Sequence, residues 1–542
     1  MNVLYVKFKN ISFLRRCLIN LFLGALSVLS LEPFGFFYIL FITLPLFLLN
    51  STSPYQMIHD SDYRKRLIHV FLIGLSFGFG YFFFGLYWIN ISFLHEFDKY
   101  FLLILPSLII IPIILSLFYG LIAVFLYFFC PRNITGVFFS SIVFTSVEMI
   151  RSIITGFPWS QIGHALIPIE HIIQICSLFG ELSLTTIGII LFMFPAMFIL
   201  ERDDSYKKTS LLVFIAIFVS IFTFSSYREG NYKNSSTDIE INILQPNIMQ
   251  KDKWDPDLLE MNINKLVDQS IEMAKTTSAN NPRQRYFIWP ETAIPVFVDE
   301  NPSITRKITK YFNEDDYLMI GSMRRKKTSM DAYKFFNSFF IINSENKIIG
   351  TYDKNQLVPF GEYLPLLKFI EKLEFIDLRA LTGNFSRGFT GLTTQDYNIY
   401  VPDVLICYEA IFSNRLYEEI NETNWLLNIT NDAWFGRSIG PYQHFSMARL
   451  RAVERGKPLV RVANTGISGV INSYGEIISK SSLNVEFYDK KILPSKTLPT
   501  FYTKYNYYPL FFILLMSFIF VCYVNKYNYK YTKQKDEENG RR

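Results

Sequence analysis

Long runs of apolar residues, separated by short charged stretches, fill the first 225 positions of the chain, and one more run lies near its end. A helix needs about 20 mostly apolar residues to cross the ~30 Å hydrocarbon core of a bilayer. Runs that reach or approach this length lie at 17–32, 35–50, 67–87, 101–129, 136–155, 179–200, 209–225 and 508–525. The pattern predicts a polytopic α-helical membrane protein with about eight spans.

Basic residues between these runs predict the orientation of the chain. They cluster before the first run, after the second, fourth and sixth, and after the last: Lys7 to Arg16, Arg64 to Arg66, Arg132, Lys207 with Lys208, and Lys526 to Lys535. Lysine and arginine are enriched in cytoplasmic loops, and all five clusters fall on one side if every run crosses the bilayer. We therefore expect both termini in the cytoplasm and residues 226–507 outside it.

The pattern changes between Ile239 and about Lys496, where short apolar runs alternate with polar segments of helical length. The runs are Ile239–Leu244, Tyr286–Trp289, Tyr317–Ile320, Phe335–Ile342, Val404–Ile406, Trp425–Ile429, Leu459–Ala463 and Gly469–Asn472. Strands that are apolar on both faces are typical of sheets covered on both sides. The sequence thus predicts an inserted α/β domain at 226–507, between a seven-span domain at 1–225 and an eighth span with a cytoplasmic tail at 508–542.

Composition agrees with this division. Half of the residues are hydrophobic and 18% are charged, fewer than the roughly 25% usual in soluble domains. The net charge of +6 comes with basic residues that flank apolar runs, so it indicates no nucleic-acid partner. Four of the five cysteines lie in or beside apolar runs, which leaves Cys407 without a second thiol for a disulfide or a metal site in the α/β domain. We expect no metal and no cofactor.

Three predicted strand ends in this domain deliver a reactive group. Glu291 follows the run ending at Trp289, Lys354 and Glu362 lie in one later segment, and Cys407 follows Val404–Ile406. A carboxylate that takes a thiol proton, an ammonium that stabilises an oxyanion and a nucleophilic thiol are sufficient for acyl transfer. Each residue also has an ordinary interpretation, because a lone charge is usually solvated or ion-paired and a free cysteine is often buried and inert.

The motifs around these residues resemble those of a known family. Three segments of this chain resemble the Glu-Lys-Cys signature of the carbon–nitrogen hydrolase (nitrilase) superfamily. They are Trp289-Pro290-Glu291, Lys354 with Leu357-Val358-Pro359-Phe360-Gly361-Glu362, and Ile406-Cys407-Tyr408-Glu409. The membrane-bound apolipoprotein N-acyltransferases of bacteria combine this domain with eight spans. Further segments similar to that family are Gln245–Asn247, Lys253-Trp254, Asn428–Gly436 and Gly156–Trp159.

The resemblance implies a nitrilase-like αββα sandwich that faces the periplasm from the inner membrane. It implies transfer of an acyl chain from a membrane phospholipid, expected to be phosphatidylethanolamine, to the N-terminal amine of S-diacylglyceryl-cysteine apolipoproteins. The acyl chain would pass through a thioester on Cys407, with Glu291 as general base and Lys354 stabilising the oxyanion. The implied supporting residues are Glu362 beside Lys354, Tyr408 and Glu409 beside the thiol, Trp254 at the entrance, and Trp159 as a substrate contact or an interface anchor.

Other interpretations remain open from the sequence. A membrane-tethered carbon–nitrogen hydrolase (amidase) acting on a small substrate would keep the same three residues and lose its acyl group to water. A Cys–His pairing of Cys407 with His444 is a further alternative, and a transporter or binding scaffold would need neither. Glu148 and Arg151 are unusual charges for a span, and they either pair along one helix face or line a lipid cleft.

Overall fold

The computed structural model describes most of the chain, and Lys7, Lys9, Arg132 and Phe360 lie outside the described residues. The described ranges are 11–52, 63–95, 97–131, 133–201, 203–230, 236–276, 282–328, 332–359, 361–363, 385–388, 391–394, 399–413 and 423–539. The chain divides into two compact units. The first comprises Met1–Tyr87, Leu105–Asn231 and Thr500–Arg542, and the second comprises Trp88–Ile104 and Tyr232–Pro499.

The first unit is helical, as the apolar runs predict. The helices before residue 231 are α1 Phe13–Ser27, α2 Leu40–Thr52, α3 Tyr63–Gly85, α4 Ile89–Leu94, α5 Phe97–Phe129, α6 Gly136–Thr155, α7 Glu170–Ile173, α8 Cys176–Phe179, α9 Leu182–Leu200 and α10 Asp204–Gly230. Of these, α4 and the beginning of α5 cluster with the second unit.

Each of the eight predicted spans coincides with a helix, but the helices are not equally long. Within the described residues, six are long and apolar enough to cross a membrane: Phe13–Ser30, Tyr63–Gly85, Tyr100–Phe129, Gly136–Thr155, Leu182–Leu200 and Tyr206–Gly230. The remaining two predicted spans correspond to the shorter apolar helices Phe37–Thr52 and Tyr508–Val524. The polytopic helical architecture is therefore confirmed, while the count of eight crossings stays a prediction.

Glycines allow α1 and α3 to pack at very short range. A Cβ atom added to Gly24 would lie 1.9 Å from the carbonyl oxygen of Phe77, and one added to Gly80 would lie 2.1 Å from that of Leu21. Small residues at such positions let the backbones of membrane helices approach closely. Any larger side chain at Gly24 or Gly80 would push the two helices apart.

Glu148 and Arg151 both point into the helical unit and are fully buried. The Glu148 carboxylate accepts the main-chain N–H of Ile162 at 2.9 Å and the hydroxyl of Thr185 at 2.6 Å. Arg151 donates to the main-chain oxygen of Phe157 at 3.1 Å. The two charges thus fix the segment that follows α6, which contains the Gly156–Trp159 motif, and because they are buried they do not line a lipid-facing surface.

The second unit contains the α/β domain. Its strands are β1 Ser236–Gln245, β2 Gln284–Ile288, β3 Asp316–Lys327, β4 Tyr333–Ile342, β5 Ile348–Asp353, β6 Thr393–Thr394, β7 Pro402–Ile406, β8 Trp425–Thr430, β9 Leu459–Ala463, β10 Gly469–Ile471, β11 Ile477–Lys480 and β12 Phe487–Pro494. Its helices are α11 Gln250–Lys253, α12 Leu259–Lys275, α13 Pro302–Thr309 and α14 Gly440–Arg455, and α15 Phe501–Tyr505 and α16 Tyr508–Asn539 follow in the first unit.

These strands form two sheets packed face to face. One has seven strands in the order β12-β1-β2-β3-β4-β5-β6, and the other has five in the order β11-β10-β9-β8-β7. Ile241 from the first sheet and Leu427 from the second share the core between the sheets. On the outer faces, α12 and α13 cover the seven-stranded sheet through residues such as Leu266, while α14 covers the five-stranded sheet through Ala448. This αββα sandwich confirms the predicted fold.

Sheet directions bring several strand ends to one edge of the sandwich. The strand β2 runs parallel to β3, whereas β4 is antiparallel to β3 and β5 is antiparallel to β4. The strands β2 and β5 therefore point the same way, and their carboxyl ends lie at the same edge of the seven-stranded sheet. In the other sheet, β7 and β8 are parallel to each other, so their ends also lie together.

The short helix α4 packs on the turn that follows β8. The hydroxyl of Ser92 donates to the main-chain oxygen of Trp434 at 3.0 Å, and the ring of His95 contacts the oxygen of Ala433 at 3.0 Å. Trp88 packs edge to face on Phe435, with ring centres 4.6 Å apart. These contacts explain why residues 88–104 cluster with the α/β domain although they lie between two membrane helices in the sequence.

Candidate active site

Cys407 lies at a sharp turn directly after β7. It begins a 3₁₀ turn, Cys407–Ile411, and has a φ of 51°. A residue other than glycine rarely adopts this left-handed conformation, and such strain is concentrated at functional sites, where the surrounding structure holds it in place. A nucleophile at the tight turn after a strand is also presented clear of the sheet.

The carboxylate of Glu409 holds this turn in place. One oxygen, Oε2, accepts the main-chain N–H of Ile406 at 2.7 Å. The other, Oε1, accepts the hydroxyl of Tyr352 at 2.7 Å and the main-chain N–H groups of Asn355 and Gln356 at 2.8 and 3.0 Å. Glu409 is fully buried. It therefore ties the cysteine turn to the segment after β5, which carries Lys354.

Lys354 lies between two carboxylates. Its Nζ atom donates to Glu362 Oε1 at 2.9 Å and to Glu291 Oε1 at 3.4 Å. The side-chain amide of Asn337, on β4, donates to the same two oxygens at 3.1 and 2.8 Å. Glu362 is held in turn by the main-chain N–H of Val358, at 2.8 Å from its Oε2. Glu291 and Glu362 thus share one cation and one amide.

Glu291 is also fixed from the five-stranded sheet. Its Oε2 atom accepts the main-chain N–H of Asn431, which follows β8, at 2.8 Å. Glu291 and Lys354 are both buried, with exposed fractions of 6% and 1%. Because these groups come from the ends of β2, β5 and β8, the site depends on both sheets being assembled.

The surroundings of the thiol oppose spontaneous ionisation. Burial raises the pKa of Cys407 above its ordinary value, the Glu291 charge raises it further, and the Lys354 charge acts in the opposite direction. Burial alone would lower the pKa of Lys354, but Glu362 and Glu291 outweigh burial and raise it. Lys354 therefore stays an ammonium, while Cys407 stays a thiol until a base removes its proton.

His444 contacts the cysteine through the main chain. Its Nε2 atom lies 3.1 Å from the carbonyl oxygen of Cys407, and its Nδ1 atom lies 2.9 Å from Asp432 Oδ1. Arg461 donates to the other oxygen of Asp432 at 2.7 Å. Burial and the Arg461 charge lower the pKa of His444, although Asp432 acts against them. Since both ring nitrogens are engaged, this geometry does not favour a Cys–His pair in which His444 is the base.

The other predicted site residues occupy different settings. Tyr408 is buried beside Cys407, and its ring packs edge to face on Phe412 with centres 5.1 Å apart. Trp254 follows α11 and has an exposed fraction of 49%. Trp159 belongs to the helical unit, where it is buried and stacks on Phe157 with ring centres 5.8 Å apart. A role for Trp159 in catalysis stays a prediction.

Three residues at the site were assigned no role from the sequence, although two of them, Lys253 and Asn431, lie in segments that resemble the family. Asn337 interrupts an apolar strand, and this break in the pattern was the signal for a polar group that the fold needs at that position. Asn431 binds the Glu291 carboxylate through its main-chain N–H, a contact that no side-chain pattern can reveal. Lys253 is fully buried and donates to the main-chain oxygen of Glu291 at 3.3 Å. Among the residues that the structure describes, no group of three or more His, Cys, Asp or Glu side chains could hold a metal ion.

Comparison with known proteins covers both parts of the chain. Residues 23–193 match the family described as apolipoprotein N-acyltransferase N-terminal domain, and residues 243–487 match the carbon-nitrogen hydrolase family. The amidase from Nesterenkonia sp. is a solved structure with 15% identity and a TM-score of 0.34, and the match covers 48% of this chain and 92% of the amidase.

Curated relatives extend over nearly the whole length. The apolipoprotein N-acyltransferase of Allorhizobium ampelinum is 33% identical over 478 residues, which cover 87% of this chain and 88% of the relative. The protein of the same name from Brucella suis is 32% identical over 492 residues, covering 90% and 91%. With this identity over most of both chains, and with a membrane domain followed by a carbon–nitrogen hydrolase domain, the chain belongs to the apolipoprotein N-acyltransferase family.

Proposed function

We propose that this protein transfers an acyl chain from a membrane phospholipid to the N-terminal amine of S-diacylglyceryl-cysteine apolipoproteins, and so completes lipoprotein maturation. The observation that carries the proposal is the convergence of Glu291, Lys354 and Cys407 at the strand ends of an αββα sandwich, in a chain whose relatives bear that activity in their names. The three residues supply a base, a cation and a nucleophile.

The first half of the reaction forms a thioester. Glu291 takes the proton of the Cys407 thiol, and the thiolate attacks the ester carbonyl of the phospholipid. Lys354 stabilises the negative charge that develops on the carbonyl oxygen. The tetrahedral intermediate collapses as the C–O bond to the glycerol breaks, Glu291 returns its proton to that oxygen, and a lysophospholipid leaves. Because the thiol pKa is raised by burial, this step depends on a base.

The second half transfers the acyl group to nitrogen. The α-amino group of the apolipoprotein, with an ordinary pKa near 8, attacks the thioester as the neutral amine. Glu291 takes the proton that the nitrogen loses, the C–S bond breaks, and the thiolate is protonated again. An amide replaces a thioester, so the step runs downhill. In this ping-pong scheme Glu362 keeps Lys354 in place through the 2.9 Å contact between their side chains.

The supporting residues have separate proposed tasks. Glu409 and Tyr408 shape the site beside the thiol, and the exposed Trp254 lines the entrance. We place the α/β domain on the periplasmic side of the bacterial inner membrane, because the basic clusters predict cytoplasmic termini. Phosphatidylethanolamine is the proposed acyl donor. Both substrates carry acyl chains, so the membrane that holds the apolar helices of the enzyme also concentrates its substrates.

A reconstituted transfer assay tests this function. The purified full-length protein, in vesicles of phosphatidylethanolamine, is given a synthetic diacylglyceryl-cysteine peptide, and the peptide mass is followed. We expect a gain of one acyl chain in an amide that resists hydroxylamine, and no gain with Cys407→Ser. Hydrolysis of small amides without peptide acylation would support the amidase alternative instead.

A further inference from the structure

Lys253 is a second buried cation close to the proposed base and nucleophile. It ends α11, has an exposed fraction of 2%, and its Nζ atom lies 3.3 Å from the main-chain oxygen of Glu291. Its electrostatic partners are the side chains of Glu291 and Cys407. An ammonium carries three N–H donors, and this carbonyl is its one hydrogen-bond acceptor among the described residues.

The position of Lys253 is fixed by the same network that holds Glu291. The side chain of Asn464 accepts the main-chain N–H of Ile248 at 3.0 Å and donates to the oxygen of Ile248 at 2.7 Å. Gln250, at the start of α11, accepts the side-chain amide of Asn431 at 2.9 Å. The main-chain N–H of Asn431 binds the Glu291 carboxylate. The main chain that carries Lys253 is therefore fixed beside Glu291, and the lysine is a buried residue of the site and not a surface lysine.

Charge balance gives this lysine a task. Glu291 and Glu362 carry two negative charges and Lys354 carries one positive charge, so without Lys253 these groups have a net charge of −1 before any thiolate forms. Asp432, which also faces Cys407, is offset by Arg461. A buried negative charge is costly unless a cation compensates it. With Lys253 protonated the group is neutral, and it remains neutral when the proton moves from Cys407 to Glu291.

We propose that Lys253 is the second cation of the active site, a positioning residue that faces both ends of the proton transfer between Cys407 and Glu291 and makes the thiol reactive by charge. The proposal rests on the proposed function only in taking Cys407 as the nucleophile. The two lysines then have different tasks. Lys354, which is paired with the two carboxylates, stabilises the oxyanion, and Lys253 supplies the positive charge that favours the thiolate.

The charge on Lys253 is expected to depend on pH. Burial lowers its pKa to about 8, although Glu291 and Cys407 act in the opposite direction. Below about pH 8 the lysine is protonated and favours the thiolate, and as the pH rises through that value the stabilisation is lost. Among the described residues, the charged groups that act electrostatically on Cys407 are Glu291, Lys354, Asp432 and Lys253 itself. The thiol should therefore gain reactivity less steeply above about pH 8 than an isolated thiol does.

Alkylation by iodoacetamide tests the inference without any transfer assay. In the full-length protein, the rate at Cys407 is measured by peptide mass spectrometry between about pH 6 and about pH 10, and each variant is compared with the wild type under the same conditions. Lys253→Met removes the charge and keeps much of the shape, Lys253→Arg keeps the charge, and Lys251→Met is the control on the exposed side of the same helix.

The expected results separate charge from packing. Lys253→Met should slow alkylation of Cys407 at least about tenfold near neutral pH relative to the wild type, which corresponds to about 1.4 kcal/mol. Lys253→Arg should stay within about threefold and gain reactivity more steeply above about pH 8, because arginine does not titrate there. Lys251→Met should behave as the wild type. An unchanged rate and pH profile in Lys253→Met would overturn the proposal.

Two further readouts keep the outcome decisive. If Lys253→Arg loses as much reactivity as Lys253→Met while both melt at the wild-type temperature, the role is one of packing and the proposal fails. If Lys253→Met melts lower than the wild type, Lys253→Gln replaces it as the uncharged variant, with the same criterion. If Lys253→Arg melts lower, the uncharged variant is judged against the wild type by its alkylation rate and pH profile. Failure of the proposed function has a different signature, because the wild type would then acylate no peptide in the transfer assay, whatever the alkylation rates of Cys407 in the Lys253 variants.

Discussion

Glu409 accepts the main-chain N–H of Asn355 at 2.8 Å, and this bond joins the residue after the proposed oxyanion lysine to the turn that presents the proposed nucleophile. The two groups belong to different sheets, since Lys354 follows β5 and Cys407 follows β7. One buried carboxylate thus sets the position of the lysine segment relative to the cysteine turn. The strained φ of Cys407 persists because this contact and that of His444 hold it from two sides.

Replacing Glu409 by glutamine should therefore damage both catalysis and stability. The amide nitrogen would face N–H and O–H donors where an acceptor is needed, and a buried charged hydrogen bond contributes about 1.5–3 kcal/mol. We expect the free energy of unfolding to fall by about 3 kcal/mol and the acylation rate to fall at least about a hundredfold. Thermal unfolding and the transfer assay check this, with the exposed Glu314→Gln as control. Wild-type activity in Glu409→Gln would contradict the assigned role.

Lys354→Met should abolish most of the rate enhancement at every working pH. The two carboxylates hold the pKa of Lys354 above its usual value. The lysine is therefore protonated over the whole working range, and a change of pH in that range does not remove its charge as the substitution does. An oxyanion-stabilising group contributes about 10²–10³ in rate, and we expect a loss of that size in single-turnover thioester formation. Lys347→Met, at an exposed lysine paired with Glu345, is the matched control. A loss confined to the second half-reaction would contradict the assignment.

His444 provides a test that separates positioning from proton transfer. His444→Gln can still donate to the Cys407 carbonyl and should retain activity within about tenfold, whereas His444→Phe removes the contact to that carbonyl and one of the contacts to Asp432 and should lose about a hundredfold. Both variants should keep the shape of the pH–rate profile. Disappearance of an ionisation from the profile in His444→Gln would indicate that His444 acts as a base, as a Cys–His mechanism requires.

Glu148→Leu should destabilise the helical unit. It leaves the N–H of Ile162 and the hydroxyl of Thr185 without their acceptor, and it leaves the Arg151 charge buried and uncompensated. Breaking such a buried arrangement costs about 3–5 kcal/mol. Thermal unfolding in detergent measures the effect, and Glu170→Leu at an exposed position is the control. An unchanged unfolding temperature would mean that these bonds do not hold the segment after α6.

The sequence predicted the fold well where hydrophobic periodicity carries the information. All eight predicted strands of the α/β domain are present, because each contains a predominantly apolar segment that the sandwich buries. The strands β5, β6, β11 and β12 were not predicted. Their burial is partial or alternating, as in β11, whose side chains are in turn half-buried and exposed. These antiparallel strands, which lie at the edges of the sheets or, for β5, next to an edge, lack the apolar run that identified the others.

The proposed catalytic residues could be predicted from motifs, but the groups that hold them could not. Glu291, Lys354 and Cys407 are side chains at strand ends, whereas the N–H groups of Asn431 and Asn355 have no signature in sequence. Lys253 and His444 lie far from Cys407 along the chain, and only the folded sandwich shows that one faces the thiol region and the other its carbonyl. The sequence also left open whether Glu148 and Arg151 pair with each other or line a lipid cleft. The structure was needed to show that they hold the segment after α6, because one of their partners, Thr185, lies in α9 and is distant in sequence.

The intact mass of the purified protein after incubation with phospholipid, and without an acceptor, tests the central claim most directly. We predict a gain of one acyl chain that neutral hydroxylamine removes, that Cys407→Ser does not show, and that a diacylglyceryl-cysteine peptide discharges. A wild-type protein that acylates the peptide and yet never carries a hydroxylamine-sensitive acyl group at Cys407 would contradict the thioester mechanism.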